Sequence, residues 1–324
     1  MTQNTNKICW AVSTGEAGMV SQVMGLAEAT GFSVEQKCIQ LRAPWTWMPG
    51  HFTQFALKGL SPKADVLNPP WPDLMITCGR RSVAPSIAVR KLSGGKTFTA
   101  HVQNPLIPNR YFDLILPPQH DALVGDNVFP TRASIHRVTP SKLVQEAERL
   151  ASLFIGLPRP LVCVIIGGNS GAHRFTSVAA RNLADQLLSL SNEKHVGLAV
   201  TTSRRTGVEN TAILKNKLSG PNCMFWDGLG ENPYFAMLGS ADYFLVTSDS
   251  ASMVSEACST GKPVYIIELE GGNDRFTRFH TSLQNDEITR PFKGELEDWS
   301  YSSLTCTEDA ARLIIEKMNE RNLD

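Results

Sequence analysis

The sequence predicts an α/β protein of two Rossmann-like domains with mostly parallel sheets facing a cleft, and three observations predict it. Strand-length apolar runs alternate with helical patterns along the whole chain, which calls for crossover helices and hence parallel pairing. The alternation runs through twice, interrupted at Gly156, Pro158 and Pro160. The second series opens on an unbroken apolar run, residues 161–166, that feeds at once into Gly167-Gly168-Asn169-Ser170-Gly171. Domains are therefore expected over 1–156 and 157–304, with 305–324 as a closing helix able to pack back on the first domain.

Taken in order, residues 7–12, 34–41, 73–78, 97–103 and 113–116 read as strands, with helices over 19–30 and 82–92 between some of them. An irregular, proline-rich stretch from 117 to 140 follows. Then comes a helix over about 141–154, capped by Ser141 behind Pro140. Past the interruption, strands are expected at 161–166, 196–201, 223–226, 243–246 and 264–269. Helices are expected near 177–190, 208–218, 233–238, 250–259, 274–284 and 308–321.

The 324 residues suffice for two cores, and 42% apolar with 19% charged residues fits a globular chain. Lys+Arg 31 balances Asp+Glu 31, so no nucleic-acid partner is indicated. The polar leader 1–7 and the short apolar run 8–12 suit neither a signal peptide nor a membrane span. A cytoplasmic address is expected, with membrane contact confined to the periphery. Seven scattered cysteines with no C-x-x-C pair read as reduced core residues.

In such sheets ligands bind beyond the carboxyl ends of the strands. The glycine turn 167–171, with Arg174 just beyond, is read as a diphosphate cradle whose backbone amides point outward at a helix start. Thr202, Ser203, Arg204 and Arg205 follow the next strand with hydroxyls and guanidinium forks suited to phosphate oxygens. Ser248, Asp249, Ser250 and Ser252 open a later helix as another anion site, and Glu256 one turn on suits ribose hydroxyls. Singly these features are ordinary: a packing turn, solvated arginines, a helix cap, a surface glutamate. Jointly, at three strand ends, they favour a diphosphate site. The loop from Trp226 to Tyr234 either walls a base pocket, with Trp226 and Asn232, or is a glycine loop capped by Asn232 ahead of Pro233.

Gly167–Ala172, Ala241-Asp242, Ser248, Ser255-Glu256-Ala257 and Gly261-Lys262-Pro263 resemble the nucleotide-sugar domain of GT-B glycosyltransferases, in particular the enzyme adding N-acetylglucosamine to the peptidoglycan lipid intermediate. The resemblance implies that Glu256 holds the ribose and that the glycine turn faces the diphosphate. Nearly the whole chain resembles the mitochondrial-fission ELM family, a plant and bacterial group with a GT-B architecture. The resemblance is carried by Gly15–Gly18 with Gln22 and Gly25–Glu28, Gly79-Arg80-Arg81 with Pro85, and Phe112-Asp113 with Pro118, His120-Asp121 and Asn127-Val128. It continues through Glu231–Tyr234 and the block Thr247–Pro263. Relatives often carry histidine where this chain has Met19.

The first-domain strand ends, with Gly15, Gly18, Arg80, Arg81 and Asn104, form the expected acceptor side. Glycosyl transfer needs a base for the acceptor hydroxyl and positive charge for the departing diphosphate. The base candidates are His120, Asp121 and Glu16; a carboxylate beside His120 raises its proton affinity. No Asp-x-Asp or His/carboxylate cluster suggests a metal, so no metal and no cofactor are expected beyond a sugar-nucleotide donor, uridine-type by resemblance, with an unspecified acceptor such as an envelope saccharide or lipid. The alternative is a non-catalytic recruitment scaffold. A nicotinamide oxidoreductase or sugar epimerase fits less well, because Gly15 and Gly18 supply only part of G-x-G-x-x-G and Arg42 stands where its acidic partner belongs.

Overall fold

The computed structural model describes residues 7–47 and 56–321; the leader 1–6 weighed above lies outside them. The chain forms two units. One runs to Arg137 and takes up the chain again from Thr305; the other is Val138–Leu304.

In the first unit β1 (Ile8–Ser13), α1 (Ala17–Ala29), β2 (Ser33–Cys38), β3 (Leu74–Cys78), α2 (Val83–Leu92), β4 (Phe98–Val102) and β5 (Leu114–Leu116) build one parallel sheet in the order β2-β1-β3-β4-β5. Strand alternation divides β1 between two cores. Cys9 and Ala11 pack with Val23 and Leu26 of α1, while Trp10 and Val12 pack with Ile39, Leu67 and Val89. Helix α1 lies directly on the backbone at His136. A Cβ on Gly25 would stand 2.1 Å from the His136 carbonyl oxygen, so Gly25→Ala must push two backbones apart. That substitution is expected to cost about 3 kcal/mol of stability, read by urea denaturation; a cost within ~0.5 kcal/mol would refute the packing.

In the second unit the strands are β6 (Leu161–Ile166), β7 (His173–Arg174), β8 (Gly197–Thr202), β9 (Cys223–Trp226), β10 (Tyr243–Thr247), β11 (Val264–Ile267), β12 (Glu270–Gly271) and β13 (Thr289–Pro291). The helices are α3 (Pro140–Arg149), α4 (Ser177–Lys194), α5 (Val208–Lys217), α6 (Tyr234–Ser240), α7 (Ala251–Cys258) and α8 (Asp274–Asn285). The main sheet is parallel in the order β13-β11-β10-β6-β8-β9, and β12 pairs antiparallel with β7 at the rim. Strand β6 is buried along its length because helices cover both faces; Val162, Val164 and Ile166 meet Leu183 and Leu187 of α4. The chain leaves β6 toward β8 and β9, then returns to its other side at β10. The topological switch point therefore falls between β6 and β10.

Three features differ from the sequence expectation. The change of unit comes at Arg137/Val138 rather than at the prolines near 156–160. Helix α3 belongs to the second unit because it packs on α6: Lys142 Nζ lies 4.0 Å from the Phe235 ring centroid, and a Cβ on Gly239 would be 2.4 Å from the Leu143 carbonyl. Its cap is Thr139, whose hydroxyl accepts from Lys142 N–H with Pro140 at the first helical position, and not Ser141. Third, β7, β12 and β13 were not foreseen; strands this short are defined by backbone partners and carry no readable period. The last helix, α9 (Cys306–Arg321), lies in the first unit, where Ala310, Ala311, Ile314 and Met318 join the core beneath α1. Among the described residues no helix is long and apolar enough to cross a membrane.

Candidate functional site

The loops after β6, β8 and β10 meet at the switch point of the second unit, and a buried carboxylate organises them. Gly167 N–H donates to Thr247 Oγ1 at 2.7 Å and Gly168 N–H to Asp249 Oδ2 at 2.9 Å. The Thr247 hydroxyl donates to Asp249 Oδ1 at 2.6 Å, and Arg205 Nη2 donates to Oδ2 at 2.6 Å. The Asp249 side chain is 0% exposed, while Arg205 keeps 41%. The amides expected to point outward at 167 and 168 are thus engaged inside the protein, and Arg205 is neutralised by Asp249.

The glycines are required by the protein's own loops and, at Gly168, by a positive φ. A Cβ on Gly167 would lie 2.2 Å from the Asp249 oxygens. One on Gly168, at φ +142°, would lie 2.3 Å from the Arg205 carbonyl. Close approach of three protein loops is enough to exclude the side chains. The turn also stands away from the start of the next helix in sequence: α4 begins at Ser177, capped by Thr176, so the dipole of α4 does not act at 167–171.

The remaining predicted residues divide into two groups. Several serve their own loops. Asn169 donates its N–H to the Arg205 carbonyl and accepts from Phe175 N–H; Ser170 accepts from the amides of Ala172 and His173. Ser203 donates to the Gly167 carbonyl, and Ser248 Oγ accepts from Leu269 N–H. Trp226 Nε1 donates to the Leu229 carbonyl at 2.9 Å, and Asn232 Oδ1 accepts from Tyr234 N–H at 3.0 Å, in the turn ahead of α6, whose N-cap is Pro233. Others stay at the rim: Gly171, Arg174 and Arg204 are exposed, and Thr202 is half-buried at the end of β8. Ser250 caps α7 by accepting from Met253 N–H, and Ser252 is half-buried in its first turn. The opening amides of α7, as in any helix, lack intrahelical acceptors.

Glu256, one turn further, is 7% exposed, and one of its oxygens accepts from the Tyr234 hydroxyl at 2.6 Å. Burial, then the Glu256 charge, pushes the Tyr234 phenol well above its ordinary range. His280 from α8 approaches the Ser248 carbonyl with Nε2 at 2.8 Å, and burial lowers its proton affinity. Sequence reasoning misses both roles: Tyr234 falls where the 226–234 loop runs into the expected helix 233–238, His280 lies within the expected helix 274–284, and no spacing rule joins either to Glu256 or Ser248.

In the first unit the switch point lies between β1 and β3, and Met19 fills it. Its sulfur lies 3.5 Å from the Thr14 hydroxyl oxygen and would stand 2.8 Å from a Cβ on Gly79. Gly15 takes φ +91° with the Cys38 sulfur 3.0 Å from its Cβ position; Gly18 has open space there. Glu16 precedes α1 and accepts from the Thr14 hydroxyl. Arg80 and Arg81 form an exposed turn before α2, and Asn104 Oδ1 accepts from Leu106 N–H. His120 and Asp121 share the turn Gln119–Asp121, with Nε2 and Oδ1 3.8 Å apart and side chains 5% and 10% exposed.

Two parallel Rossmann-like sheets, with polar loops gathered at a switch point, define a GT-B-type protein. The fold is shared with the UDP-GlcNAc 2-epimerase of Methanocaldococcus jannaschii, solved with UDP-GlcNAc and UDP (TM-score 0.54, 11% identity, 96% of this chain and 99% of that one). It is shared also with the glycosyltransferase SnogD of Streptomyces nogalater (TM-score 0.50, 12% identity, 97% and 96%). More particularly, the family described as mitochondrial fission ELM1 matches residues 17–318, and the chain belongs to that family. The mitochondrial fission protein ELM1 of Arabidopsis thaliana is 29% identical over 277 residues, 77% of this chain and 65% of that protein, so the chain spans less than two thirds of its relative's length.

Proposed function

We propose that the second unit binds the nucleoside diphosphate of a sugar nucleotide, of uridine type, and that the protein transfers the sugar to an acceptor. The observation that carries this reading is Glu256, a nearly buried carboxylate one turn behind the hydroxyl-rich start of α7, the helix that follows β10 beside the switch point. A carboxylate in that place accepts from ribose hydroxyls. The phosphates would lie against the first-turn amides of α7 with Ser250 and Ser252, and Arg174 and Arg204 would supply charge from neighbouring loops. The UDP-sugar complex of the archaeal epimerase supports the uridine assignment. His120, with Asp121 beside it, would serve as the acceptor base, ahead of Glu16. The protein would work in the cytoplasm, meeting any lipid acceptor at a membrane surface, with no metal or cofactor beyond the donor.

Titration calorimetry against UDP, GDP and ADP tests the reading. Wild type should bind UDP, and Glu256→Ala should weaken that binding about tenfold or more, the worth of hydrogen bonds to a charged group. A folded protein that binds none of the three overturns it.

The second reading, a recruitment scaffold, is favoured by Asp249. Its carboxylate engages Gly168 N–H and Arg205, two donors that a departing diphosphate would otherwise use. Nucleotide binding with neither donor hydrolysis nor transfer, alongside a stable protein partner, would decide for it.

A further inference from the structure

We infer that Tyr234 is the positioning residue for Glu256, and that through it the Glu231–Tyr234 segment sets the preference of the nucleotide site for ribose over deoxyribose. The inference rests on the nucleotide-binding reading above. It gives a task to a motif that the proposed chemistry does not otherwise use.

Tyr234 opens α6 and reaches Glu256 on α7, 22 residues along the chain, with hydroxyl and carboxylate 2.6 Å apart. Its proton donates to Glu256 Oε2, a charge-assisted bond of definite direction. A glutamate side chain has three rotatable torsions and many accessible rotamers; a fixed donor on one oxygen selects among them. The carboxylate is then presented to a ribose in one orientation, ready to accept from hydroxyls on adjacent carbons. A sugar that lacks one of those hydroxyls forgoes a charge-assisted hydrogen bond to a nearly buried carboxylate, which costs affinity.

The support for Tyr234 is itself held by hydrogen bonds and packing. Asn232 Oδ1 accepts from its amide, and Pro233 restricts the turn just before it. Behind the tyrosine, α6 is held by α3: Arg149 pairs with Glu231, Lys142 lies over the Phe235 ring, and Gly239 lets the helices touch at the Leu143 carbonyl. The path from α3 through α6 to Glu256 is continuous packing and hydrogen bonding within one unit.

The test is calorimetry of UDP and 2′-deoxy-UDP on wild type and Tyr234→Phe, which keeps the ring and removes the donor. Wild type should prefer UDP by about tenfold or more. Tyr234→Phe should weaken UDP about five- to tenfold while leaving 2′-deoxy-UDP nearly unchanged, so that the preference collapses. A role confined to stability would lower both affinities together or neither. Should Tyr234→Phe fail to fold, Asn232→Ala, at an exposed position, loosens the turn that places Tyr234 and should move the ratio in the same direction. A wild-type ratio retained in the folded variant overturns the inference and leaves the nucleotide reading standing. Absence of UDP binding by wild type overturns both.

Discussion

Asp249→Ala is expected to lower the unfolding free energy by about 3 kcal/mol. The carboxylate is closed off from solvent and accepts from Gly168 N–H, the Thr247 hydroxyl and Arg205. Truncation leaves an amide and a hydroxyl in the interior without their acceptor, each costing about 1–3 kcal/mol. The guanidinium adds less, because Arg205 is 41% exposed and can turn toward water. Asp249→Asn keeps one acceptor oxygen and should cost about half as much. Urea denaturation reads both, and a loss below ~1 kcal/mol for the alanine variant would show that the network does not hold the three loops together. The same measurement bears on function, since this network sets the backbone from which α7 starts.

Acidification from pH 6.5 toward 4 should destabilise the fold steeply, and His101 is the principal cause. It lies fully buried on β4, with Nδ1 2.8 Å from the Thr77 hydroxyl and its ring against Phe112, and burial lowers its pKa to about 3. In the unfolded chain a histidine titrates near ~6.5. Between those values the unfolded chain binds the extra proton and the native state does not. The stabilisation is therefore complete above about pH 6.5 and falls by up to about 1.4 kcal/mol for each pH unit below it. His280, also shifted downward by burial, contributes with the same sign. Urea midpoints at pH 7, 5.5 and 4.5 should show the trend, and His101→Phe should flatten the slope by about one proton. An unchanged slope in that variant would assign the acid sensitivity elsewhere.

The site was only partly legible in the sequence. Gly167-Gly168 stand out in the sequence, and in the structure both contact Thr247 and the loop after β10. A glycine pair reports a positive φ or that something comes close, without saying what. The neighbour is Asp249, about eighty residues away, and its carboxylate takes the donors that a phosphate would have claimed. Glu256 could be picked out by resemblance and by its distance from a serine-rich helix start. Its tyrosine partner could not, because the two stand on different helices and meet only through the packing of α6 and α7. Met19 is a similar case: its departure from the relatives was visible, but its place between Thr14 and Gly79 was not.

The fold itself was largely written in local pattern. Buried parallel strands must be apolar on both faces, crossover helices must carry one apolar side, and the prolines and glycines between them leave few options; such features are short-range and survive in a linear text. The sequence by itself determined the α/β class, the order of the main elements and the loops worth inspecting. Only the tertiary structure decided that α3 joins the second unit, that α9 returns to the first, and that Asp249 fills the glycine turn. Those outcomes depend on which polar and apolar groups find partners across long chain separations, and no local periodicity encodes that choice.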